Sequence, residues 1–268
     1  MNETRHDKHY VFTDTDQQLE LSRLQEIESI FDPGTTRLLS GCGDLRAKSC
    51  LEVGAGAGSI ARWLGHQVGN AGHVCAIDMD TRFLDHLDDH IEVLQGSVSK
   101  VDLATITFDA AHTRFVLVHN ADFYELLRVL LARLKRGAYL AIEEPDFSTA
   151  HAFAASPQQQ RAFENVNAAI ERMFGARQQR HDLGKILPRC LAQLGSELLD
   201  VQCWSPVVRG GSPIAKMMRM STVQLSSKYQ STGLVTAEDL QHYEEFTRDT
   251  NAWGLYHSTV RVLARRPR

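Results

Sequence analysis

The sequence predicts an α/β protein built on a doubly wound, mostly parallel sheet, and three observations carry that prediction. Short apolar runs near 49–53, 73–78, 91–95, 108–115 and 138–143 alternate with helical stretches near 59–68, 81–90 and 121–134, the rhythm of βαβ units with helices on both faces of a sheet. The first run passes directly into the alternating glycines Gly54, Gly56 and Gly58. The second, His73 to Ile77, ends in an acid, Asp78.

The first run, Cys50-Leu51-Glu52-Val53, is a strand that must turn tightly into the helix beginning at Ser59, which leaves bare backbone N–H groups facing a ligand. Asp78 closes the next strand, where a carboxylate can accept both hydroxyls of a ribose. Together these features read as a nucleoside-cofactor site. Gly56-Ala57-Gly58-Ser59-Ile60-Ala61 also fits a loose dinucleotide fingerprint. Glu52, two residues before the first glycine, favours S-adenosylmethionine (SAM), because a carboxylate there can receive the α-ammonium of SAM and would repel a pyrophosphate.

These residues resemble those of class I SAM-dependent methyltransferases of the small-molecule type, similar to the ubiquinone/menaquinone group. The resemblance runs from about residue 48 to 146. Glu52-x-Gly54-x-Gly56-x-Gly58 matches the family's first motif, Asp78-Met79 the pair that holds ribose and adenine, and Phe108-Asp109 the fourth strand. Leu134-Lys135-Arg136-Gly137-Ala138 resembles the Leu-Lys-Pro-Gly-Gly turn before the fifth strand, with Arg136 in place of proline. Gly96-Ser97-Val98 stands where the family often has Gly-Asp-Ala, so a hydroxyl or backbone group replaces the usual carboxylate contact to adenine. The resemblance implies a Rossmann-like sheet of seven strands, with SAM as cofactor and S-adenosylhomocysteine (SAH) as its product. Glu52, Gly54, Gly56, Gly58, Asp78, Met79, Ser97, Val98 and Arg114 are then the cofactor-binding set, Arg114 ordering either the methionine end of the cofactor or an anionic acceptor.

The rest of the chain divides around this core, expected at 48–150. A segment at 1–47 contains Leu21, Leu24, Ile27, Ile30 and Phe31 at helical spacing, stopped by Asp32-Pro33-Gly34. It reads as a lid helix, with Tyr10, Phe12, Arg23 and Gln25 as covering residues, or equally as an ordinary packing helix. Helical stretches at 157–174, 182–195 and 213–229 make a cap insert after the fifth strand, within a 151–235 region that also holds the sixth strand. Met217, Met218 and Met220 there line an acceptor pocket or fill the core. The segment 236–268 supplies a C-terminal helix and the last strand; Glu197–Trp204 and Leu255–Ala264 are the final two strands.

Methyl transfer from a sulfonium chiefly requires alignment and dryness, with a base only if the acceptor must lose a proton. The candidates are His119 after the fourth strand, Glu144 after the fifth, with Asp146 beside it, and Tyr10 as a lid hydroxyl. His119 leads, since its ordinary pKa suits neutral pH, although a histidine at such a junction is also a common structural hydrogen-bonder.

Composition narrows the function further. With 29 basic and 33 acidic residues the net charge is −4, giving no basic excess to track a phosphate backbone. Thr113-Arg114-Phe115-Val116-Leu117 replaces the Asn/Asp-Pro-Pro-Tyr/Phe loop of methyltransferases acting on nucleobase amines, so nucleic acid is not the expected substrate. Five scattered cysteines give neither a disulfide framework nor a thiolate trap for arsenic. His86 and His90 lie on an Asp-rich, solvated segment, and no metal is expected. The N-terminus lacks an apolar signal core and no stretch is long enough to span a bilayer, so the expected location is the cytoplasm. The expected acceptor is a small aromatic or apolar molecule of specialised, natural-product metabolism, or a quinone-type ring, methylated on oxygen, nitrogen or carbon; a homodimer is left open. The competing readings are an NAD(P)-dependent oxidoreductase and a non-catalytic SAM-binding subunit.

Overall fold

The computed structural model describes residues 17–103 and 106–267. Its helices are α1 Gln17–Ser40, α2 Ser59–Val68, α3 Phe123–Arg133, α4 Pro157–Ala176, α5 Leu183–Gln193, α6 Pro213–Ser231 and α7 Ala237–Arg248. Its strands are β1 Ser49–Val53, β2 His73–Asp78, β3 Ile91–Gln95, β4 Phe108–Arg114, β5 Leu134–Asp146, β6 His151–Ala154, β7 Glu197–Trp204, β8 Val207–Arg209, β9 Trp253–Leu255 and β10 Ser258–Arg265. Seven strands form one sheet in the order β3-β2-β1-β4-β5-β10-β7. The first five run parallel and β10 runs antiparallel between β5 and β7. The fold is the expected doubly wound α/β sheet with an N-terminal helix and a helical cap.

Alternation along the strands builds a core on each face. Leu51, Cys75, Ala111, Leu140 and Val262 pack with Leu127 and Leu130 of α3 and Leu187 and Leu191 of α5. Their neighbours Cys50, Val74, Ala110, Ala141 and Leu263 pack with Leu38 and Leu39 of α1 and Ile60 and Leu64 of α2. A third core, including Phe163, Val166, Met218, Leu225, Tyr243 and Phe246, holds α4, α6 and α7 together as the cap. A small antiparallel sheet, β6-β9-β8, lies alongside.

Four local expectations are corrected. Residues 81–90 form successive turns, Leu84 N–H to Thr81 O at 3.0 Å and Leu87 N–H to Leu84 O at 3.2 Å, rather than a helix. Asp80, Asp85, Asp88 and Asp89 there are poor helix formers, and Asp80 instead accepts from the Arg82 backbone N–H at 3.2 Å. Second, α1 runs through Asp32-Pro33-Gly34 to Ser40. Its second half is held by tertiary contacts: Phe31 packs edge-on against Phe115 and Trp204, and Thr35 bonds to Glu143. Gly34 marks a close approach and not a stop, because a Cβ there would lie 2.4 Å from the Arg261 guanidinium. Third, α5 packs on the main sheet against β5 and β10 and does not belong to the cap. Finally, the expected strand 255–264 is divided into β9 and β10 at Tyr256-His257.

Candidate active site

The order β3-β2-β1-β4 reverses direction between β1 and β4, and a crevice opens beyond their carboxyl ends. From it a cavity of about 670 Å³ extends under the cap. Gly54, Gly56, Asp78, Met79, Ser97, Val98, Arg114 and His119 line it.

At the sheet end the backbone itself shapes the wall. Gly54 has φ 79° and a Cβ there would meet Val116 Cγ2 at 2.1 Å; Gly56 has φ 58°. Both positions need glycine, and the cradle they leave is one that any larger side chain would strain or fill. Gly58 does not line the cavity: it enters α2 at φ 89° and packs against Leu84 and Leu87. Asp78 Oδ2 accepts from Gly56 N–H at 2.8 Å and Oδ1 from Asp80 N–H at 2.9 Å. Burial pushes the Asp78 pKa up to about 6 against these donors. Met79, which follows it, keeps 43% of its surface exposed at the rim. Ser97 Oγ pairs with Ser99 Oγ at 2.9 Å.

Helix α1 forms the opposite wall. Glu28 lines the cavity and accepts from the Ser59 N–H at 3.1 Å, placing a carboxylate on the N-terminus of α2. Arg23 also lines it, paired with Glu20 at 2.7 Å, whereas Gln25 faces outward. Arg114 donates to Thr35 Oγ1 at 2.7 Å and pairs with Asp32 at 2.9 Å. Tyr10 and Phe12 lie outside the described residues.

Two of the predicted acids are turned away from the cavity. Glu52 is buried with Oε2 at 2.8 Å from His112 Nδ1, and the other ring nitrogen of His112 lies 3.4 Å from Glu143. Although burial opposes protonation, the flanking carboxylates hold the His112 pKa up at about 9. Glu143 also receives Arg261 Nε at 2.5 Å. Glu52 is therefore part of a buried charge cluster, not an open carboxylate. Glu144 is likewise committed: its carboxylate accepts from the backbone N–H groups of Val116, Leu117 and Val118 at 3.1, 2.8 and 3.0 Å. This grip follows Phe115, whose left-handed backbone, φ 57°, is uncommon for an aromatic residue. Glu144 thus holds a strained turn at the cavity wall instead of facing the acceptor. Asp146 caps the next turn through Ser148 N–H at 3.0 Å.

His119 is half-buried, its ring stacked on Phe174 at 5.8 Å. Burial, aided by the charges of Arg23 and Arg177, brings its pKa down to about 3, so the imidazole is neutral at physiological pH. Around it the cap contributes Phe163, Met217, Met218, Tyr229, Tyr243 and Tyr256 to the cavity. Burial raises the pKa of all three tyrosines, which remain neutral phenols. Met220 is not part of this lining. Sequence reasoning missed the tyrosines and His257, which is drawn to the same cavity beside Tyr256. The only signal was a polar pair, Tyr256-His257, inside what reads as a continuous apolar strand. His86 contacts Arg62 and His90 the Gly65 carbonyl, so the two histidines have separate partners.

Residues 51–142, from β1 to β5, match the model of a methyltransferase domain family. No curated protein matches the chain by sequence. Among solved structures it is similar to a Bacillus halodurans C-125 protein assigned as a methyltransferase, with 16% identity, TM-score 0.56, and 87% of this chain and 98% of that one covered. It is also similar to a Galdieria sulphuraria protein assigned as a sarcosine dimethylglycine methyltransferase, with 17% identity, TM-score 0.55 and coverage of 88% and 85%. A third likeness is to Haemonchus contortus phosphoethanolamine N-methyltransferase 2 in complex with phosphomonomethylethanolamine and SAH, with 16% identity and TM-score 0.56. It covers 94% of this chain but 58% of that one. At these identities the structural likeness establishes the fold. With the family match, residues 51–142 carry a methyltransferase domain on this fold.

Proposed function

We propose that the chain transfers the methyl group of SAM to a small, uncharged aromatic or apolar metabolite of the kind made in specialised metabolism. One observation carries this reading: a single cavity runs from the glycine loop into an aromatic chamber beneath α4, α6 and α7. Its volume falls within the usual range for small-molecule sites, and its cap walls are chiefly aromatic and apolar side chains, with Asn167, Ser221 and Thr222 among them. No charged residue of α4, α6 or α7 lines the cavity, and Arg23, which lines it from α1, is paired with Glu20.

When bound, SAM supplies a methyl group already activated by a positive sulfur. The chain's residues have the remaining tasks. Gly54 and Gly56 leave room for close backbone approach, and Asp78 offers its remaining lone pairs to the ribose hydroxyls. Met79 and Val98 flank the base with apolar surface, and the Ser97 hydroxyl faces its polar edge. Arg114 meets the carboxylate of the methionine moiety. Glu28, which lines the cavity, takes the role against the ammonium that the sequence suggested for Glu52. The cap excludes water and fixes the acceptor's direction of attack.

The test is incubation with SAM and a panel of phenols, quinones and aromatic amines, with a peptide and an oligonucleotide as controls, read by mass. Gain of one methyl by an aromatic compound is expected. Methyl gain only by the peptide or the oligonucleotide contradicts the proposal.

A further inference from the structure

His257 occupies the break between β9 and β10, where the chain leaves the small sheet and enters the main one. It is 4% exposed and lines the cavity. Its ring is held on three sides, by Tyr256 at 3.9 Å, Phe147 at 4.6 Å and Phe115 at 5.9 Å. These contacts tie it to residues just beyond the ends of β4 and β5, where the acceptor chamber meets the crevice.

The hydrogen bonding fixes its tautomer. Nδ1 lies 3.2 Å from the Ser258 carbonyl oxygen, which can only accept, so Nδ1 carries the proton. Nε2 is left with its lone pair. That atom has no hydrogen-bond partner among the described residues, yet it is not sealed within protein as an orphaned buried atom. It is an open acceptor at the cavity wall.

On the reading that this chain is a small-molecule methyltransferase, we propose that His257 is a catalytic residue, its Nε2 accepting the proton of a neutral hydroxyl, phenolic in the first instance, as that oxygen is methylated. The acceptor's O–H donates to Nε2, which aims an oxygen lone pair at the sulfonium methyl. The oxygen forms its bond to carbon while the C–S bond breaks with its electron pair going to sulfur, and the O–H proton passes to Nε2 before leaving to water. Burial holds the His257 pKa down at about 4, but the reaction adds no net charge to the chamber. The positive charge lost at sulfur reappears on the imidazole. His119 is less suited, because Arg23 and Arg177 oppose a second cation there, whereas no cation contributes at His257. A hydroxyl is favoured over an ammonium because α4, α6 and α7 place no carboxylate in the lining, and Glu20, which lines the cavity from α1, is paired with Arg23.

The test uses the full chain, with phenol and 4-nitrophenol as probes. SAH titration comes first; the proposal expects wild type, His257→Gln and His257→Phe to bind SAH equally. Imidazole ¹⁵N spectra of the SAH complex then report on the ring, with His257 assigned by its absence in the variants. The expected result is an Nδ1–H tautomer whose Nε2 resonance moves when phenol is added. With SAM, His257→Gln retains KM for phenol but loses kcat by about 10²-fold or more, and loses much less with the more acidic 4-nitrophenol. An Nε2 resonance that phenol leaves unmoved, or wild-type turnover of phenol by His257→Gln, overturns the proposal. If wild type does not bind SAH, the methyltransferase reading itself has failed.

Discussion

Asp78 shows how burial sets the state of a single carboxylate at the cavity wall. Two backbone N–H groups hold its carboxylate, yet burial leaves the pKa at about 6, above the ordinary 3.8. Below about pH 6 it gains a proton and ceases to be a double acceptor, so SAH affinity measured by calorimetry falls as the pH drops from 7 to 5. Asp78→Ala weakens binding at least about tenfold at neutral pH, about 1.4 kcal/mol, and flattens this pH response. His112 makes a different prediction. Its raised pKa gives a stabilising contribution that is complete below 6.5 and is lost as the pH rises through about 9. His112→Ala leaves the buried Glu52 without its partner, while Glu143 keeps Arg261, and costs about 3–5 kcal/mol in denaturant unfolding. The positions of Asp78 and the glycines were legible because they are local: a turn needing positive φ and an acid ending a strand leave their mark in a few adjacent letters. Those of Glu52, His112 and Glu144 were not. Which way a strand-end carboxylate turns depends on partners far along the chain: His112 lies 60 residues from Glu52, and Arg261 118 residues from Glu143.

At the scale of elements, periodicity identified the five parallel strands and most helices, and failed where tertiary contacts replaced local rules. Helix α1 loses one backbone hydrogen bond at Pro33 but continues, because Thr35 and Thr36 bond back to Phe31 and Asp32 and because Glu143 and Arg114 hold its far side. Gly34 lets the Arg261 side chain pass beneath the helix to reach Glu143. Gly34→Ala therefore displaces a buried guanidinium; the expected cost is about 1–3 kcal/mol, read as a lowered midpoint in urea. A fall in stability no larger than that of Gly175→Ala, where a Cβ meets open space in the same kind of element, contradicts that role. The three- and four-residue strands β6, β8 and β9 were invisible in sequence, since so few residues cannot display an alternation.

The whole molecule divides its labour between a sheet whose carboxyl edge presents the glycine loop, Asp78 and Arg114, and a cap that closes the acceptor chamber with aromatic residues. Helix α1 bridges them, packing on α6 of the cap and reaching the sheet through Thr35. The glycine-loop end of the cavity was readable because it is built in sequence order from successive strand ends. The acceptor end was not, because Phe163, Tyr229, Tyr243 and His257 are brought together from four separate parts of the chain after the fifth strand. The most direct test of the central claim is calorimetric titration of the purified protein with SAM, SAH and NADPH. The glycine cradle, with Asp78 and Glu28 at the cavity wall, predicts micromolar binding of SAM and SAH and none of NADPH; binding of NADPH alone contradicts it.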